Sequence, residues 1–129
     1  MLVGDLDRRD AVSNGIPLEV ARRGAFVGID HVGLSDDGYL DDRERADLVV
    51  ELIEAGHRDR ILLSSNAIGV AKGRPDYDLP FGHVLSAFVP LLRAVGVGDA
   101  DIQRILVQNP RELLSVRSER ASDELSMVR

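Results

Sequence analysis

Three short apolar runs set the limits on what this chain can fold into: Met1-Leu2-Val3, Ala25-Phe26-Val27-Gly28-Ile29 and Ile61-Leu62-Leu63. Each breaks directly into polar residues, Gly4-Asp5, Asp30-His31 and Ser64-Ser65-Asn66 respectively. Runs this short suit strands, and the middle one lacks clean alternation, as expected of a strand buried on both faces. Helical periodicity fills the intervals. Ile16, Val20 and Ala21 mark a helix from about Ile16 to Arg23, with Gly24 to stop it. Asp41 and Glu44 have the spacing of a capping box, Leu48, Val49, Leu52 and Ile53 form one apolar face, and Gly56 is placed to end that helix. Strand and helix in alternation predict an α/β fold with parallel strands. Two architectures fit the pattern: a small doubly wound sheet complete in itself, or the terminal segment of a (β/α)₈ barrel, which takes about 200 residues or more.

After the third run comes a loop from Ala67 to Pro80, rich in Gly, Pro and charge, and long loops inside compact domains are often functional. A helix is expected from about Phe81 to Val95, ended by Gly96. Asp99 is expected to cap a short helix through Val107, and Asn109-Pro110 to start another at Arg111. Residues 1–116 read as one structural unit and residues 117–129 as a flexible polar tail.

The chain's 129 residues can bury a sizeable core. A net charge of −6 with both signs interspersed argues against a nucleic-acid surface, which needs clustered cations. Fifteen arginines stand beside a single lysine, Lys72, which reads as genomic bias. The absence of cysteine excludes disulfides and thiolate metal sites. The chain opens on an apolar strand with no basic segment and h-region before it, and no run approaches a membrane span. The expectation is a soluble cytoplasmic protein without a membrane partner.

Several motifs in order carry a resemblance. Gly4-Asp5-Leu6-Asp7 stands where a sixth barrel strand would end in Gly-His-x-Asp. Ala21-Arg22-Arg23-Gly24 then leads to Asp30-His31, and Leu52-Ile53-Glu54-Ala55-Gly56 closes the next helix. Ile61-Leu62-Leu63-Ser64-Ser65-Asn66 stands for an eighth strand that would end in Asp. Pro90-Leu91-Leu92-Arg93, Gly96-Val97 and Asn109-Pro110 complete the series. From about Val3 to Val116 the chain resembles the C-terminal part of the phosphotriesterase-like metal hydrolases of the amidohydrolase superfamily. That resemblance decides between the architectures, and implies the last three (β/α) units of a TIM-type barrel, incomplete as given.

The resemblance implies two divalent metals, usually zinc, sharing a hydroxide that attacks a phosphotriester, ester or lactone. The family's ligands are a His-x-His, a bridging carboxylated lysine, two further histidines and an aspartate. No His-x-His occurs here, and Lys72 lies in a loop. Asp5 takes the position of a metal-binding His, where a carboxylate is an acceptable ligand, or else is a solvated or loop-capping residue. Asn66 takes the position of the catalytic Asp, and a neutral amide cannot serve as a base. Asp30 and His31 correspond to a region that orients ligands and relays protons in the family. Arg74 and Tyr77 lie where substrate loops sit. His57 follows a helix end, where the dipole favours an imidazolium, and His83 is expected to pack in the first turn of the next helix or line the rim.

The sequence therefore reads as a segment of a hydrolase dependent on zinc or another divalent metal, inactive alone, with or without metal of its own. Its partner would be the missing N-terminal half or a second copy, and a small ester or lactone would bind only to the completed site. The alternative is a catalytically dead scaffold that self-associates or binds a partner. A third reading is a working hydrolase with a rebuilt, mononuclear site.

Overall fold

The computed structural model describes residues 1–65 and 82–115. Strand β1 (Leu2–Val3) is followed by two short helices, α1 (Arg9–Ser13) and α2 (Ile16–Arg22), then β2 (Phe26–Ile29), α3 (Asp42–Glu54), a 3₁₀ turn (Arg58–Arg60) and β3 (Ile61–Leu63). A π-helical turn (Val84–Phe88) runs into α4 (Val89–Ala94). Helix α5 (Asp99–Gln103) runs through a second π-helical turn (Arg104–Gln108) and continues over 109–115. Helix α1 is an element the sequence pattern did not announce.

The three strands form one parallel sheet in the order β1-β2-β3, with Leu2 opposite Phe26, Val27 opposite Ile61 and Ile29 opposite Leu63. Every residue of β2 is buried, as its unbroken apolar run predicts. Backbone bonds carry the ladder beyond the named strands: Leu6 N–H donates to Gly28 O, Ser64 N–H to Ile29 O and Val32 N–H to Ser64 O. The strand ends are thereby held in register where the polar residues begin. Among the described residues β1 and β3 each have one strand neighbour.

Helix α3 starts as its sequence requires. The Asp41 carboxylate accepts from Glu44 N–H at 2.8 Å, and Glu44 accepts from Asp41 N–H at 3.1 Å. It ends on Gly56 at φ 87°, with Gly56 N–H bonded to Ile53 O and His57 N–H to Leu52 O, an arrangement that needs a left-handed residue. Its face of Leu48, Val49 and Leu52 packs in one core with Val27, Ile29, Ile61, Phe88, Leu92 and Ile105.

The C-terminal helices differ from expectation in two places. Asp99 is not the cap but the first helical residue. Gly98 holds the extended cap position, and the Asp99 carboxylate accepts from Arg93 Nε at 3.0 Å instead. Asn109-Pro110 does not start a separate helix, because the backbone passes through it without a break. The physical reason is the widened turn ahead of it. Proline has no N–H and its ring crowds the carbonyl four residues back. Here Asn109 N–H reaches back to Arg104 O, five residues away, which opens the turn that the ring needs. The same device stands before Pro90, where Val89 N–H bonds to Val84 O.

Asn109 also explains why the closing motif matters. Its side chain is fully buried, and Nδ2 donates to Arg58 O at 2.7 Å and Ile61 O at 2.9 Å. It pins the last helix to the entry of β3.

Candidate functional site

The polar residues converge at the C-terminal ends of the strands. Asp5 leaves β1 with φ 58°, a left-handed conformation that aspartate tolerates better than most residues. That turn points its N–H at Asp30, whose Oδ2 accepts it at 2.8 Å, while Ser64 Oγ donates to Oδ1 at 3.2 Å. One carboxylate thus joins the ends of all three strands. It lies over a floor of glycine: a Cβ on Gly4 would meet Asp30 Oδ2 at 2.6 Å, and one on Gly28 would meet Oδ1 at 2.9 Å.

His31 points elsewhere, into a buried polar group. Its backbone N–H donates to Asp7 Oδ2 at 3.0 Å, and its Nδ1 lies 3.1 Å from Asp7 Oδ1. Asp7 is fully buried and also accepts from Arg45 Nε at 2.8 Å. Arg45, likewise fully buried, donates through Nη1 to Leu34 O at 2.8 Å and Asp42 Oδ1 at 3.0 Å. Asp42 takes Gly33 N–H at 2.7 Å and faces His83 Nε2 at 3.0 Å. On the open side, His31 Nε2 lies 3.7 Å from Asp5 Oδ1, and the Tyr39 ring packs 4.2 Å from the imidazole.

The sequence-predicted residues divide accordingly. Asp5, Asp30 and His31 are brought together. The Asp30-His31 pair acts through two different networks, since successive residues leaving a strand face opposite ways. His83 does stand in the first helical turn of its segment, and its ring meets Asp42. Asn66, Arg74 and Tyr77 lie outside the described residues. Asp7, which the sequence marks only as the last residue of Gly4-Asp5-Leu6-Asp7, and Arg45, which no motif marks, carry as much of the geometry. Arg45 had a signal: it stands at the position before Leu48, Val49 and Leu52 on the apolar stripe of α3, where a charge has no solvated reason to be.

The model of the Phosphotriesterase family matches residues 1–114. The chain belongs to the phosphotriesterase family. An aryldialkylphosphatase of Saccharolobus solfataricus is 28% identical over 122 residues, covering 88% of this chain and 37% of the relative. The phosphotriesterase homology protein of Escherichia coli is 27% identical over 110 residues, covering 85% of this chain and 36% of the relative. The crystal structure of that Escherichia coli protein, complexed with phosphate in its active site, matches with a TM-score of 0.67 at 28% identity, over 86% of this chain and 37% of the other. A resiniferatoxin-binding protein from Rhodobacter sphaeroides matches at 31% identity with a TM-score of 0.61, over 77% of this chain and 30% of the other. The chain spans about a third of the length of each of these proteins.

The family implies a divalent metal. Among the described residues no three His, Asp or Glu side chains are grouped to hold one. Asp30 is engaged by a backbone N–H and a hydroxyl, and Asp7 by Arg45 and His31. Of the three aspartates at these strand ends, Asp5 is the most open, with its side chain 64% exposed and His31 Nε2 at 3.7 Å. The described residues by themselves do not make a metal centre. Nor is any described helix long and apolar enough to cross a membrane.

Proposed function

We propose that this chain supplies the closing third of a phosphotriesterase-like hydrolase site, as the last three (β/α) units of a TIM-type barrel, and is inactive alone. The observation that carries this reading is the placement of His31, held through Nδ1 by buried Asp7 and presenting Nε2 toward Asp5 at the strand ends. Asp5 contributes a carboxylate at the family's histidine position, and the ligands that a zinc or other divalent ion needs come from further (β/α) units. His31 orients or accepts a proton beside that centre, and Asp30 fixes the turn at Asp5. The substrate class is a phosphotriester, ester or lactone. Relatives named aryldialkylphosphatase and phospho-furanose lactonase support it. Arg74 and Tyr77 are proposed to meet substrate. Asn66, at the family's Asp position, weakens base catalysis in any completed site. The cytoplasm is the proposed compartment.

The test is elemental analysis of the purified chain together with assays on lactones and phosphotriesters. No stoichiometric metal and no turnover are expected. About one zinc per chain, with activity abolished in Asp5→Ala, would replace this reading with a rebuilt mononuclear enzyme.

A second reading is a catalytically dead scaffold that self-associates. Asp5 and Asn66 at ligand positions favour it, as do Met1 and Leu2, exposed on and beside the open edge of β1. Sedimentation at micromolar concentration separates the cases: a defined oligomer supports the scaffold, and a monodisperse monomer excludes it.

A further inference from the structure

We infer that Arg45 is a positioning residue for His31: through the buried carboxylate of Asp7 it fixes the imidazole with its proton on Nδ1 and an open lone pair on Nε2. The inference rests on His31 being a site residue, as proposed above, and adds what determines which ring nitrogen faces the site.

A guanidinium in a core is costly unless its surroundings are built for it. Arg45 is 0% exposed on the same face of α3 as Leu48, Val49 and Leu52. Its fork is held on two sides. Nε meets Asp7 Oδ2 at 2.8 Å, and Nη1 meets Leu34 O and Asp42 Oδ1 at 2.8 and 3.0 Å. Asp42 is held in turn: Gly33 N–H bonds the same Oδ1 at 2.7 Å, and His83 Nε2 lies 3.0 Å from Oδ2. Asp42 is also the first residue of α3, so the helix itself sets where the fork points.

The consequence passes through Asp7. Arginine is a donor only and keeps its charge in proteins. With Arg45 Nε and His31 N–H both on Oδ2, Oδ1 remains as an acceptor, and His31 Nδ1 lies 3.1 Å from it. That contact is attractive only with the proton on Nδ1. In the neutral ring Nε2 is then an acceptor, and at 3.7 Å from Asp5 Oδ1 it is beyond hydrogen-bond range. Tyr39 against the ring face limits its tilt. Arg45 touches neither Asp5 nor the open side of His31, and acts only by deciding how Asp7 presents itself.

The experiment uses the whole chain, without metal or substrate, labelled with ¹⁵N-histidine at one fixed, mildly alkaline pH. Long-range ¹H–¹⁵N correlation reports each ring nitrogen, and His31 is assigned by its loss in His31→Asn. The wild-type ring is expected to show a protonated Nδ1 and an unprotonated Nε2. Arg45→Gln is expected to lose that single signature to an averaged mixture. Arg9→Gln, which removes an exposed ion pair, is expected to leave it intact. A wild-type ring carrying a proton on Nε2 overturns the inference, as does a folded Arg45→Gln with an unchanged His31. Should Arg45→Gln not fold, Asp42→Asn loosens the fork while keeping the guanidinium, and an unchanged His31 there overturns it equally. Loss of the hydrolase reading through the metal and activity assays leaves this readout untouched.

Discussion

A methyl group on Gly4 would stand 2.6 Å from Oδ2 of Asp30, inside the space that the carboxylate fills. Gly4 is thus part of how Asp30 reaches the backbone of Asp5. Gly4→Ala is expected to displace Asp30, free the Asp5 N–H and cost about 1–3 kcal/mol, the usual range for overpacking. Urea unfolding gives the stability change, and amide exchange at Asp5 separates loss of that bond from general loosening. An unchanged Asp5 amide would show that Asp30 can settle elsewhere.

Asn109 offers a test at the opposite end of the sheet. Its Nδ2 bonds the carbonyls of Arg58 and Ile61, and the bond to Ile61 is buried, so that carbonyl loses its partner if the amide is removed. Asn109→Leu is expected to lower stability by about 1–3 kcal/mol. Asn109→Asp should be worse, since carboxylate oxygens would face two carbonyl oxygens. The urea midpoints of both variants check the order.

Glu44 predicts a pH dependence. The Arg9 guanidinium and the Asp41 backbone N–H together lower its carboxyl from an ordinary 4.5 to about 2. A depressed folded value means that the unfolded chain binds the proton more readily. The contribution is complete above about 4.5 and is lost as pH falls toward about 2. Glu44→Gln should therefore flatten the acid limb of stability between those values and leave the neutral region less affected. Because the pair is exposed, added salt should weaken the difference. Thermal melts across that range, at two salt concentrations, are the measurement.

Asp41 carries the other half of the same capping box. Asp41→Ala is expected to cost about 1 kcal/mol through the start of α3. Asp41→Asn or Asp41→Ser should recover most of it, because either side chain can still accept from Glu44 N–H. Equilibrium unfolding of the three variants decides whether the cap acts as a hydrogen bond or only as a charge.

Local chemistry was the legible part of this sequence. The capping box of α3, the left-handed stop at Gly56 and the double burial of β2 each follow from a few adjacent residues, and each appears in the structure. The widened turns before Pro90 and Pro110 were not legible, because a proline reads as a boundary whether the backbone stops or opens around it. At the site, Asp5, Asp30 and His31 were visible as polar residues closing apolar runs. The joint role of Asp7 and Arg45 was hidden by their separation in the chain, since a contact across 38 positions leaves no local pattern. Only the misplaced charge on an apolar stripe pointed to it.

The chain is fastened at one end of its sheet and carries its polar cluster at the other. Asn109 ties the last helix to the entry of β3, while Asp5, Asp30 and His31 stand where the strands let go. A substitution among the residues above the strands therefore leaves the anchorage below them intact. Changes at the strand ends and changes at the anchorage should separate in their effects, the first felt locally around Asp5 and the second in the stability of the whole sheet.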